Sequence, residues 1–370
     1  MNPVRPFTKN DIPQVVELFQ KVFYDNGQET PSSSKLDAYF EEMFFHNPLT
    51  EEENGEDISS LVYETSDGVI IGFIGIIPRR MLLRGRPIRA ATSMHFMVEP
   101  GSRSTLAGVQ LLKTFFSGPQ ELTLTDSGGA IGRKIWEGLG GATALAYSIN
   151  WMRLLRPSRY VLRLLTRKNG LLRFIALALR PLCPITDAMI SRAMPRRVVK
   201  LTTTLQETDL DQETLLAGLA QFPLAYALRP DYDPGSIFWL LAKADQMAGP
   251  GALRKIALRN ADGELVGWYL YELGADGLGE VLQVVGRKKS FGEVLDHLFY
   301  HGWRNGAIAL SGRLDPKLVQ EFSDKYCSFN CGGPWTLTHS KNSEVLQAIY
   351  NGDLFFTRLE GEWCMRFQNE

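Results

Sequence analysis

The chain has 370 residues, of which 44% are hydrophobic and 22% charged, with a formal net charge of −1. That composition excludes a disordered or fibrous chain and supplies apolar material for two cores, so two domains are expected. The balance of charge hides an uneven distribution: residues 151–200 carry twelve Lys or Arg against Asp187 alone, which leaves the remainder acidic.

Met1 is followed by polar residues and a strand-like pattern rather than a basic start and an apolar run, so no export signal is expected. Residues Ile88 to Val98 (IRAATSMHFMV) read as a buried strand, and Gly108 to Phe116 (GVQLLKTFF) places apolar side chains at helical spacing. Pro100 and Gly101 force a turn between them. Entry into a helix leaves backbone N–H groups from about residue 103 to 108 without partners, and the helix dipole together with Arg103 favours an anion there. FMVEPGSRSTLAG (96–108) therefore reads either as a phosphate cradle or as an ordinary strand-to-helix connection.

From Trp151 to Lys200 short helices are expected, punctuated by Pro157, Pro181, Pro184 and Pro195. Arg159, Arg163 and Arg167 form a basic stripe opposite Leu162 and Leu165. A solvated face on an interdomain helix is the expected role, and a peripheral contact with anionic lipid or an acidic partner is the alternative. LLRFIALAL (171–179) is broken by Arg173 and falls short of the roughly 20 residues that a membrane span requires. Beyond it come a strand at 200–205, a helix at 236–247, and a hairpin across 253–273 that turns at Asp262-Gly263. A strand at 281–285, a helix at 290–303 and a strand at 307–313 follow. Trp268, Tyr269 and Tyr271 are expected in the core, with a cleft wall as the alternative. Cys183, Cys327, Cys331 and Cys364 are expected as reduced thiols in the cytoplasm, and the spacing of Cys327, Cys331 and His339 fits no zinc pattern, so no metal is expected.

Val98, Pro100, Arg103 and Gly108 spell V-x-P-x-x-R with a glycine five residues on, which resembles the coenzyme-A pyrophosphate loop of the GCN5-related N-acetyltransferases, the GNAT superfamily. VRPFTKNDIPQVVELFQKVF (4–23) is similar to that family's opening strand and first helix. GVIIGFIGIIP (68–78) resembles its central hairpin strand, and LTLTDSGGAIGRKIWEGLGG (122–141) its next strand and helix. The resemblance covers about the first 150 residues in the right order. It implies an α/β fold with a mixed sheet and a bound acetyl-CoA or other acyl-CoA. It also implies backbone hydrogen bonds from Phe96 and Val98 to the pantetheine arm, and a pyrophosphate site at Arg103, Ser104, Thr105, Leu106, Ala107 and Gly108.

The chain departs from the family where Leu106 replaces a glycine and where Gly129 and Trp136 replace an asparagine and a tyrosine. That tyrosine often acts as general acid, and an indole N–H cannot supply a proton at neutral pH. His95 and Asp126 are the candidate bases, with core packing of His95 and a helix-entry role for Asp126 as the alternatives; Glu99 is expected to face water. The second half resembles a degenerate tandem GNAT domain, because Gly286-Arg287-Lys288-Lys289-Ser290 lacks the loop's glycine spacing. The expected organisation is an acyl-CoA-binding domain at 1–150, a basic helical linker at 151–200, and a degenerate domain at 201–370 that binds no coenzyme A and forms one wall of the acceptor site. The expected function is N-acyl transfer from acyl-CoA, acetyl first, to the amine of a small metabolite, sugar or cell-envelope precursor, in the cytoplasm or at the inner face of the membrane. A non-catalytic GNAT-fold protein contacting a partner or a membrane surface through residues 151–200 is the alternative. No nucleic acid is expected among the partners.

Overall fold

Runs with a two-residue apolar period alternate with runs of helical period, and in the computed structural model they become two mixed sheets flanked by helices. The structure describes residues 3–24, 30–49, 58–102, 106–166, 183, 186–187, 189, 204–248 and 253–367. The first strands are β1 (Val4–Pro6), β2 (Leu61–Glu64), β3 (Ile70–Leu83), β4 (Arg86–Val98), β5 (Leu122–Gly128), β6 (Ala142–Thr143), β7 (Asn150–Leu154) and β8 (Gln206–Asp209). They are followed by β9 (Leu228–Pro230), β10 (Leu253–Arg259), β11 (Leu265–Leu273), β12 (Leu278–Gly286), β13 (Ala309–Arg313), β14 (Ser328–Asn330) and β15 (Trp335–His339). The helices are α1 (Ile12–Phe23), α2 (Ser33–Phe45), α3 (Ala107–Phe116), α4 (Ala130–Gly138) and α5 (Pro157–Thr166). Then come α6 (Gln212–Gln221), α7 (Pro234–Ala248), α8 (Phe291–Arg304), α9 (Val319–Asp324) and α10 (Ser343–Tyr350).

The chain forms two compact units that do not follow its linear order. One comprises Met1–Ser148, Pro223–Met247 and Gly332–Glu370, the other Ile149–Phe222 and Ala248–Cys331. A break falls near residue 150 as expected, at Ser148/Ile149, but the expected domain at 201–370 is divided between the two units and the expected linker at 151–200 falls within the range of the second. The physical reason is strand pairing: β9 joins β3, β15 enters between β5 and β6, and β7 leaves the first stretch of sequence to pair with β13 and β14.

The first sheet runs β1-β2-β3-β4-β5-β15-β6, and the second runs β8-β10-β11-β12-β13-β7-β14. Each holds one parallel pair, β4 with β5 and β12 with β13, among antiparallel neighbours. The same succession therefore occurs twice, and in each sheet the last strand but one is out of chain order: β15, from late in the chain, in the first sheet, and β7, which precedes every other strand of its sheet, in the second.

In the first unit, Val15 and Phe19 of α1 and Phe40 and Phe44 of α2 pack against Phe73, Ile77 and Met94. Alternation turns Ile74 and Ile76 to the opposite face, where they meet Leu111, Leu112 and Phe115 of α3 and Trp136 of α4. In the second unit, Leu295 and Leu298 of α8 pack with Tyr269, Tyr271, Val281 and Trp151. Trp268, Tyr269 and Tyr271 are fully buried, as core packing requires. Trp268 Nε1 donates to Gln283 Oε1 at 2.8 Å, and the two tyrosine hydroxyls lie 3.0 Å from Nδ1 of His297 and His301. After β12 the backbone packs tightly: a Cβ on Gly286 would lie 3.0 Å from Val294 Cγ2, and Arg287 pairs with Glu264.

In the expected linker, α5 has no buried residue and Arg163 pairs with Asp276, while Arg167 and most of residues 167–200 lie outside the described residues. All four cysteines are free thiols, with Cys331 alone of them exposed. Among the described residues, no helix is long and apolar enough to cross a membrane, and no group of three His, Cys, Asp or Glu is placed to hold a metal.

Candidate active site

The centre of the first sheet is irregular where chemistry was expected. β4 and β5 pair only through Ala90–Leu122, Ala91–Thr123 and Thr92–Leu124. Beyond that rung β4 continues to Val98 and β5 to Gly128 without pairing to each other, so the two strands part. On its other edge β4 is bulged: Phe73 faces Met97 and Gly75 faces Met94, leaving His95 and Phe96 opposite Ile74. His95 takes φ +49, a left-handed conformation that a bulge accommodates and a regular strand does not.

The bulge turns His95 toward α1 and α2. Its ring lies among Phe19, Phe23, Tyr39 and Phe40, with centroids 5.2–6.3 Å away. Burial pushes its pKa down to about 3, so the imidazole is neutral at physiological pH. Tyr39 Oη lies 2.6 Å from the carbonyl oxygen of Met365 and 2.5 Å from His95 Nε2. A carbonyl can only accept, so the single tyrosine proton goes to Met365. His95 Nε2–H must then donate to Tyr39, which assigns the lone pair to Nδ1. Burial, and next the charge of Glu362, hold the Tyr39 hydroxyl well above the usual phenol range.

The polar groups of β5 meet the segment near the C-terminal end of the described chain. Asp126 is buried, and its Oδ1 accepts from the backbone N–H of Glu362 at 2.8 Å. Thr125 Oγ1 and Ser127 Oγ donate to the two oxygens of Glu362 at 2.5 and 2.6 Å. A Cβ on Gly361 would fall 1.9 Å from Asp126 Oδ2, so glycine alone fits this approach. The stretch 361–365 is thereby fastened against the parted strands.

At the far end of β4, Phe96 and Val98 lead to the connection before α3. Arg103, Ser104 and Thr105 lie outside the described residues. Leu106 is exposed, Ala107 and Gly108 are buried, and α3 begins without a side-chain cap. A Cβ on Gly108 would come within 3.1 Å of Phe96 Cζ and 3.4 Å of Val98 Cγ2, which ties the start of the helix to the strand before it. Glu99 is half-buried, 3.5 Å from Lys21 Nζ, and accepts from Ser102 Oγ at 3.2 Å.

Trp136 is a core residue. Its indole lies 4.8 Å from the ring of Phe116 and donates Nε1–H to the Thr338 carbonyl at 2.9 Å, so it reaches no site for proton transfer. His95 and Asp126 both border the parted strands, each on its own strand. Sequence reasoning missed Tyr39 and Glu362, whose partners lie 56 and 326 residues away for the first and 235 or more for the second. No local signal marks such pairs.

Residues 3–120 match the family described as acetyltransferase (GNAT) domain. No curated protein matches the sequence. Among solved structures, the chain is similar to a conserved protein of unknown function from Enterococcus faecalis V583, a probable N-acyltransferase. The TM-score is 0.60 at 10% identity, over 91% of this chain and 72% of that one. It is also similar to a GCN5-related N-acetyltransferase from Anabaena variabilis ATCC 29413, with TM-score 0.56 at 10% identity over 93% and 74% of the two chains. A GCN5-related N-acetyltransferase from Kribbella flavida gives 0.51 at 10% identity over 92% and 71%. Likeness at that identity establishes the shared fold.

Proposed function

We propose that this protein, whose residues 3–120 form a GNAT acetyltransferase domain, transfers an acyl group from acyl-CoA to the amine of a small molecule. The observation that carries this reading is the parting of β4 and β5 beyond Thr92 and Leu124. Backbone N–H and C=O groups that no neighbouring strand takes are suited to a pantetheine arm, whose amides need such partners. The start of α3, where the N-cap Leu106 offers no side-chain hydrogen bond, suits the pyrophosphate, with Arg103 as the added charge.

Acyl transfer needs the amine proton removed as the N–C bond forms, and it needs the thiolate protonated or solvated as it leaves. His95 Nδ1 is the acceptor we assign to the first step, with Asp126 second. Burial keeps His95 unprotonated but makes it a weak base, so it takes the proton only once attack on the thioester has acidified the amine. Acetyl-CoA is the first cosubstrate to try, and a metabolite, sugar or envelope-precursor amine the first acceptor class.

The replacement of the family's tyrosine by the buried Trp136 favours a second reading, in which acyl-CoA binds without turnover. One experiment separates the two. Calorimetry with coenzyme A and acetyl-CoA, paired with a free-thiol assay over an amine panel, is expected to give binding and acetyl-dependent thiol release. Arg103→Glu is expected to weaken binding by about tenfold or more through repulsion of the pyrophosphate, and less so at high salt. His95→Ala is expected to lower turnover by about 10²- to 10⁴-fold at unchanged cofactor affinity. Binding without thiol release selects the second reading, and no binding refutes both.

A further inference from the structure

The first unit holds a second polar feature that the acyl-transfer machinery does not use. A cleft with about 480 Å³ of empty space, open solvent included, lies over the face of the sheet formed by Arg79 and Met81 of β3, Thr92 of β4 and Leu124 of β5. Thr92 and Leu124 are the last rung of the β4–β5 ladder, so the floor of the cleft ends where the strands part. Pro230 and Phe356 add to its apolar walls.

Two donors in this cleft lack partners. Thr92 is fully buried, and its Oγ1 has no hydrogen bond among the described residues. Arg79 Nε is likewise enclosed without a partner, and its Nη2 reaches only the main-chain oxygen of Glu360 at 3.2 Å and Met365 Sδ at 3.5 Å. No ion pair joins Arg79 to a carboxylate among the described residues. Asp231, Asp233 and Glu360 also line the cleft: Glu360 accepts from the Tyr232 hydroxyl and from Thr357, Asp233 pairs with Arg80 and caps α7 through the N–H of Ser236, and Glu360 and Asp126 act on Arg79 through their charge without forming an ion pair with it among the described residues. Burial lowers the Arg79 pKa, against the opposing pull of Tyr232, Glu360, Cys364 and Asp126.

A buried guanidinium with an unpartnered Nε and no ion pair in contact is costly, and its planar fork matches a carboxylate. We propose that the cleft binds the carboxylate of an apolar amino acid on Arg79 and Thr92, with the side chain against Met81, Leu124 and Phe356. The amine then points toward the parted strands, and the molecule is the acyl acceptor. That last role rests on the acyl-transfer reading above, whereas the carboxylate site stands without it.

Calorimetry on the full chain tests this with L-phenylalanine, L-phenylalaninamide, phenethylamine and phenylacetate as probes. Phenylalanine is expected to bind at least about tenfold more tightly than its amide or phenethylamine, because only it offers the fork an anion. Phenylacetate is expected to compete with it, and inorganic phosphate is not. In Arg79→Gln the preference for acid over amide should fall toward one, and Thr92→Val should reduce it by a smaller factor in a folded protein. Should Arg79→Gln fail to fold, Thr92→Val and Arg79→Lys carry the test, both with reduced preference. Equal or tighter binding of the amide or phenethylamine, no binding of phenylalanine at millimolar concentration, or an undiminished preference in the variants overturns the proposal. With acetyl-CoA added, phenylalanine that binds with acid preference but is not acetylated upholds the carboxylate site and refutes its role as the acyl acceptor. Acetylation of phenethylamine without preference for the acid does the reverse.

Discussion

Replacing His95 with glutamine is expected to remove one contribution to the acid sensitivity of the first unit. The imidazole lies among four aromatic rings with its pKa pushed down to about 3, and in the unfolded chain it returns to about 6.5. Because the folded value is the lower one, the unfolded chain takes up the proton first, and stability falls as pH drops below about 6.5 until the folded value is reached. Each pH unit in that window costs up to about 1.4 kcal/mol, so the step from pH 6.5 to 5 costs up to about 2 kcal/mol from this residue. Glutamine can still donate to Tyr39 but does not titrate. Hydrogen exchange of peptides from α2 and β4, at pH 6.5 and 5, reads the opening free energy of this unit in both proteins. The wild type should lose up to about 2 kcal/mol more than the variant across that interval. His339 in the first unit and His297 and His301 in the second are also held below their usual pKa by burial, but they are common to both proteins and cancel in the comparison. An identical loss in wild type and variant would mean that the ring of His95 is not secluded, and the tautomer assigned through Tyr39 would fall with it.

Gly361→Ala places a Cβ on Asp126 and should detach the 361–365 stretch from β5, costing about 1–3 kcal/mol and lowering turnover more than cofactor affinity. Urea unfolding with steady-state kinetics checks it, and unchanged values would show that this fastening is incidental. Leu298→Ala, at a fully buried site of the second core, should cost about 2–5 kcal/mol in thermal or urea unfolding while coenzyme-A affinity measured by calorimetry stays constant.

Local chemistry determined much of this protein. The apolar period of residues 88–98 became β4, that of 108–116 became most of α3, and the Asp262-Gly263 turn joined β10 to β11 with Gly263 at φ +80. Such features depend on neighbours a few residues apart, which the sequence displays directly. The similarity of residues 96–108 to a cofactor loop was legible for the same reason. Which sheet a strand joins was not. β7 and β15 are both short strands, and their exchange between the two sheets depends on partners far along the chain that no periodicity names. The same holds for the candidate site. That His95 and Asp126 sit at the parting strands could be proposed from order alone, but the Tyr39 hydroxyl between His95 and Met365, the Glu362 carboxylate on Thr125 and Ser127, and the unpaired donors of Arg79 and Thr92 arise only when α2, β3, β4, β5 and the last described turn are packed together. Burial then decided the rest, turning an ordinary histidine into one that stays neutral and an ordinary arginine into one that lacks a contact anion.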